Sequence, residues 1–136
     1  MKTQLKIFAV LSIFFCYSSS SCLGFNPVGK NVVTVTNDIG PGIVLNLHCK
    51  SRDDDLGVQA LQPGQQFQWK FRENLIKSTE FYCNCGWNNQ LKHFTAWTSY
   101  EEEGTCLKCF WSIRADGPCL YADITRKTKC QPWKNN

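Results

Sequence analysis

Cysteine is the residue type through which this sequence could do most chemistry. Beyond residue 24 it carries Cys49, Cys83, Cys85, Cys106, Cys109, Cys119 and Cys130. Cys83-x-Cys85 and Cys106-x-x-Cys109 have the outline of two knuckles, and four thiolates so arranged can hold structural zinc. A C-x-C pair on an extended strand, however, does not make the usual knuckle turn. Cys106-x-x-Cys109 also matches a redox motif, which works when a helix N-terminus lowers the pKa of its first thiol. The residues that follow, Phe110-Trp111-Ser112-Ile113, read as a strand, so the redox reading lacks its helix.

The other reactive groups are few. His48 and His93 are the only histidines, and His48 precedes Cys49. An oxidised Cys49 would leave His48 no thiolate to pair with. Carboxylates come in two runs, Asp53-Asp54-Asp55 and Glu101-Glu102-Glu103. Paired acids bind calcium or hydrolyse glycosides, but the first run lacks the spaced oxygens and distal glutamate of a calcium loop. Adjacent acids more often form a solvated loop or cap backbone amides. We treat Asp53, Asp54, Asp55, Glu101, Glu102 and Glu103 as candidates for contact with a partner on exposed loops. Motifs for a serine nucleophile, a zinc protease or a phosphate loop are missing. No enzyme activity, catalytic residue, metal or cofactor is expected.

The N-terminus decides what the thiols become. Lys2 and Lys6 precede an apolar run, Ile7–Tyr17, too short to span a bilayer and of the length of a signal-peptide core. Small residues at the −3 and −1 positions, Cys22 and Gly24, suit signal peptidase, so residues 1–24 are read as a signal peptide and 25–136 as one domain. A cut after Ser20 is the alternative. Secretion exposes the thiols to an oxidising compartment, which favours disulfides over zinc. Seven cysteines leave one unpaired or joined to a second chain, so a monomer is expected with a covalent dimer as the alternative. The net charge of +4 includes Lys2 and Lys6 and points to no nucleic-acid partner. Arg126, Lys127, Lys129 and Lys134 make the end basic. No second long apolar run follows, so no stable membrane insertion is expected.

Positioning falls to strands. In Ile43–Ser51, Ile43, Leu45, Leu47 and Cys49 share one face. In Gln65–Arg72, Phe67, Trp69 and Phe71 oppose Gln66, Gln68, Lys70 and Arg72, which marks the aromatic stripe as core. Glu80–Trp87 aligns Phe81, Cys83, Cys85 and Trp87. Further strands are expected at Asn31–Asn37, Leu91–Tyr100, Leu107–Ala115 and Cys119–Thr125. Turn residues separate them at Asp38–Gly42, Pro63-Gly64 and Asp116–Pro118. Short strands with short gaps predict an all-β fold, a small, mostly antiparallel β-sandwich stabilised by disulfides.

The block His48–Gly57 (HCKSRDDDLG) resembles the signature of the plant self-incompatibility protein S1 family, the S-protein homologues. Val35-x-Asn37, Leu61-x-Pro63-Gly64, Phe67-x-Trp69-x-Phe71, Thr79-x-Phe81-Tyr82-Cys83, Trp87, Cys106-x-x-Cys109-x-Trp111-x-Ile113 and Asp116-Gly117 extend it. The resemblance implies a secreted plant β-sandwich. It also implies an extracellular ligand or recognition protein for a cell-surface membrane receptor, as in pollen–pistil rejection. A secreted defence or membrane-active role through the basic tail is the alternative, and a secreted hydrolase a third reading. The family's four cysteines map onto Cys49, Cys83, Cys106 and Cys109. Pairing of Cys106 with Cys109 would be strained on a strand, so both are expected to bridge to Cys49 and Cys83. Cys85, Cys119 and Cys130 depart from the pattern. They could supply one extra bridge and a free thiol, with Cys119–Cys130 tying the tail or Cys85 bonding to one of them.

Overall fold

A computed structural model describes residues 30–74, 76, 78–100 and 106–134. Nine strands are found there: β1 (Asn31–Asn37), β2 (Leu45–Lys50), β3 (Asp55–Leu61), β4 (Gln66–Phe71), β5 (Glu80–Trp87), β6 (Gln90–Thr98), β7 (Lys108–Arg114), β8 (Gly117–Ala122) and β9 (Lys127–Cys130). They form a five-stranded sheet, β4-β1-β7-β8-β9, packed on a four-stranded sheet, β3-β2-β5-β6. Every pairing is antiparallel except β1 with β7. Those two are far apart in sequence, so no hairpin dictates their direction.

The period-two pattern places the core. Val33, Val35, Leu45, Leu47 and Ile113 are fully buried between the sheets. The aromatic stripe of β4 turns inward as expected: Phe71 meets Phe81 at 4.6 Å and Trp97 at 4.9 Å, and Trp69 meets Phe81 at 5.5 Å. Gln66, Gln68 and Lys70 face solvent. Such tilted and edge-on rings suit the aromatic quadrupole and join the two layers.

Two strands lie where none is expected. β3 begins at Asp55, inside the segment read as an acidic loop. Its apolar alternation was uninformative because Val58 and Ala60 point to solvent, paired with His48 and Asn46 on the outer face. β9 is exposed along its whole length and has no apolar face to announce it. It exists by pairing with β8. The basic end is therefore part of a sheet and not a free tail. β8 also starts earlier than expected, at Gly117.

The disulfides correct one expectation and resolve another. Cys49 bridges to Cys83 and Cys106 to Cys109, so the second pair does not cross to the first. The expected strain rested on an extended strand reaching back to Leu107, beside Cys106. β7 begins only at Lys108, and the bend before it brings the two Cα atoms within 5.4 Å. Cys49 and Cys83 face each other directly across β2 and β5. Cys119 bonds to Cys130, its neighbour across β8 and β9. Cys85 is the free thiol, buried opposite Leu47, where loss of hydration pushes its pKa up to about 12.

Asn37 ties the end of β1 to the opposite layer. Its side-chain amide donates to the carbonyls of Ile43 (2.8 Å) and Leu61 (2.9 Å), and its oxygen accepts from the Ile39 amide at 3.1 Å. An apolar replacement strands these groups. Asn37→Leu is expected to destabilise the protein by about 3 kcal/mol or more, read as a lower midpoint in urea. An unchanged midpoint would show the network is dispensable.

The bridges close segments of very different length, with sequence separations of 34, 11 and 3. On the chain-entropy model their contributions are about 4, 3 and under 2 kcal/mol respectively. Paired Cys→Ala variants, compared by denaturant unfolding, are expected to lose stability in that order. The reverse order would mean that unfolded-chain entropy is not what the bridges limit.

Candidate functional site

The connections after β2, β4 and β6 converge at one end of the sandwich. Between them lies a groove of about 390 Å³. The signature turn Ser51–Asp54 forms one wall, Arg72, Asn74, Ser78 and Thr79 of the β4–β5 connection the other, and Tyr100 closes the side. Phe71 and Phe81 lie at its floor, an extension of the aromatic core.

The signature block explains how that turn is held. Ser51 donates its amide to the Asp54 carbonyl at 2.7 Å and accepts the Asp54 amide on its hydroxyl at 3.1 Å. Arg52 and Asp53, at the tip, are each about three-quarters exposed and 3.7 Å apart, so both remain open to a partner. Asp55 has a different task. Its Oδ1 accepts the Gly57 amide at 2.9 Å and the His48 ring N–H at 2.6 Å. An ionised carboxylate only accepts, so His48 must carry its proton on Nε2. Gly57 supplies the positive φ, +78°, that this return requires. Behind the turn stands the Cys49–Cys83 bridge, one register position from Lys50 and Tyr82, whose ammonium and ring lie 5.9 Å apart.

The opposite wall is braced as well. Asn74 accepts the Ser78 amide (2.8 Å), donates to the Ser78 hydroxyl (2.9 Å), and gives its own amide to the Thr79 hydroxyl (2.8 Å). Thr79 and Ser99 exchange further bonds of 3.1 and 2.9 Å. Each wall of the groove is thus tied by bonds among its own residues. Its rim mixes signs: Arg52 and Arg72 against Asp53, Asp54 and Glu80. Charges of both signs on fixed loops suit a protein surface of matching pattern.

The acidic runs fare differently. Asp53 and Asp54 line the groove, whereas Asp55 is committed to the clasp with His48. The acidic loop is shorter than the run Asp53–Asp55 suggests, since β3 begins at Asp55. Glu101, Glu102 and Glu103 lie outside the described residues; Tyr100, immediately before them, lines the groove. Asp38–Gly42 sits at the other end of the sandwich and shares no surface with it. Arg72, Glu80, Tyr82 and Tyr100 are groove residues that sequence reasoning missed. Arg72 had one signal, the polar stretch between β4 and β5; Glu80 and Tyr82 lie on β5 and Tyr100 follows β6. No group of three or more His, Cys, Asp or Glu side chains comes together among the described residues.

The clasp makes a pH prediction. The Gly57 amide first, and then the His48 hydrogen bond, hold the Asp55 carboxyl below its ordinary value of 3.8. A lowered folded-state pKa stabilises the fold fully above that ordinary value, and the contribution disappears as pH falls through the lower one. Thermal unfolding between about pH 5 and pH 2 is expected to show a shallower acid decline in Asp55→Asn than in the parent. Superimposable declines would remove the carboxylate from the hairpin's stability.

Comparison with known proteins agrees with this architecture. The family described as plant self-incompatibility protein S1 matches residues 32–133. S-protein homolog 29 of Arabidopsis thaliana is 47% identical over 134 residues, 98% of this chain and 99% of its own. S-protein homolog 5 of the same plant is 41% identical over 130 residues, covering 95% and 98%. A solved SPH (self-incompatibility protein homologue) structure shares the fold, with a TM-score of 0.60 at 22% identity over 80% of this chain and 98% of that one. It represents a widespread family of small, highly stable, secreted plant proteins. With a match of this length and relatives this similar over their whole span, the chain belongs to the plant self-incompatibility protein S1 family.

Proposed function

We propose that the chain is exported after removal of residues 1–24 and acts as an extracellular ligand. The groove end of its sandwich engages a membrane protein on another cell. The observation that supports this most is the groove itself: signature loop, β4–β5 connection and Tyr100 present charges of both signs on walls fixed by their own hydrogen bonds. Pre-ordered loops lose little conformational freedom on binding, which is where a rigid scaffold adds affinity. The disulfides keep that geometry in the oxidising space outside the cell. Family membership accords with this reading, and recognition of pollen by pistil is one setting in which such a ligand works. The groove offers binding contacts and calls for no catalysis.

Oxidised protein carrying a fluorescent label is expected to bind plant cell membranes saturably. A variant with Arg52→Ala, Asp53→Ala and Arg72→Ala should bind about tenfold or more weakly with its unfolding temperature retained. Equal binding by parent and variant would remove the groove from recognition, and N-terminal sequencing of the exported protein checks the cut after Gly24.

A further inference from the structure

The sandwich is five strands over four, and the mismatch leaves one flank open. β9 ends the larger sheet, and all four of its residues are exposed, so nothing covers either of its faces. β6 ends the smaller sheet and has no backbone partner on its outer side among the described residues. Two cavities, of about 290 and 110 Å³, follow β6 along this flank. Both touch Thr95 on β6 and Gln131 on the tail, which makes them one trough.

Backbone geometry shows what the trough offers. β5 and β6 are joined by Asn88 and Asn89, whose φ values of +46° and +64° form a two-residue hairpin turn. Such a turn makes Trp87 and Gln90 the closing hydrogen-bonded pair. Counting by two, Lys92 and Phe94 then bond to β5, and Leu91, His93 and Thr95 turn their amides and carbonyls to the open side. The regular edge stops at Ala96, the extra residue of a bulge, whose carbonyl accepts the Trp111 indole N–H at 2.9 Å. The far wall is fixed. Gln131 donates its amide to Pro118 (3.1 Å), and Trp133 gives its indole N–H to the Arg114 carbonyl (3.1 Å) while packing on Trp87. A side chain at Gly117 would overlap the Gln131 carbonyl, so the tail presses directly on β8.

Charge selects the occupant. His93, Lys129 and Lys134 line the trough, Lys92 is on β6 itself, and no carboxylate lines either cavity. The lysines among them repel a second β6 edge, a common defence of exposed strands. They attract a strand of opposite sign. We propose that this flank is a second binding site, which adjoins the loop groove at Tyr82 and takes an extended acidic peptide segment of a partner protein as a fifth strand beside β6. Main-chain bonds to Leu91, His93 and Thr95 would supply affinity, and acidic side chains at alternate positions would meet Lys129 and Lys134.

The probe is an acetylated octapeptide of alternating glutamate and valine, titrated into the full oxidised protein by fluorescence anisotropy, with amide chemical shifts followed by NMR. Saturable binding with shifts confined to Gln90–Thr95, Tyr82 and Lys129–Lys134 is expected. Lys129→Glu with Lys134→Glu should weaken it about tenfold or more, unfolding temperature unchanged. Both side chains are exposed, so the fold is kept. Peptides N-methylated on one or the other set of alternate amides should differ, one set abolishing binding and the other sparing it. No saturation, shifts at Ser51–Asp54 instead, indifference to charge reversal, or equal effects of both methylations would overturn the proposal. So would an acidic oligosaccharide that produces the same β6 shifts as the peptide.

Discussion

The structure depends on two strands being held side by side at the position where they face each other. Cys49 and Cys83 are register partners on β2 and β5, the inner strands of the smaller sheet. Their bond fixes that register, and in a sheet a slip of one residue would send every core side chain to solvent. Leu47 and Phe81 stay inward and Lys50 and Tyr82 stay outward because of it. The signature turn begins two residues after Cys49, so the same bond anchors one wall of the loop groove.

Stiffness at that end is built in layers. The aromatic contacts among Phe71, Phe81 and Trp97 join the sheets beneath the groove. Hydrogen bonds internal to each loop then set its shape: Ser51 with Asp54, Asp55 with His48 and Gly57, Asn74 with Ser78 and Thr79. Arg52 and Asp53 are left without a structural task, exposed at the tip. Residues free of structural work on a rigid support can vary among relatives without loss of the fold. That division separates the scaffold from the exposed tip it carries.

The cysteines outside the four that carry the family resemblance have other places. Cys119 and Cys130 secure β9, and the tail after it brings Trp133 against Trp87 and Phe94. The larger sheet thereby gains a strand that the smaller one does not match. Cys85, by contrast, is closed off in the core with its thiol kept protonated by burial, and behaves as a small apolar side chain.

What the sequence determined by itself was local. Alternating apolar residues marked most strands and their inward faces, because side-chain direction in a strand repeats every two residues whatever it pairs with. Turn residues marked the breaks, and the block His48–Gly57 carried the family resemblance. Only the tertiary structure decided which strands are neighbours, since pairing partners such as β1 and β7 are joined by contacts far apart along the chain. The disulfide map followed from that pairing, and so Cys106 found Cys109 across a bend instead of reaching Cys83. β3 and β9 escaped notice for a related reason: β9 has no apolar face, β3 turns only Leu56 and Leu61 to the core, and each is ordered by pairing with a neighbour's free edge. The groove was hidden likewise, because Arg72, Glu80, Tyr82 and Tyr100 become neighbours of Asp53 only when separate connections meet at one end of the sandwich.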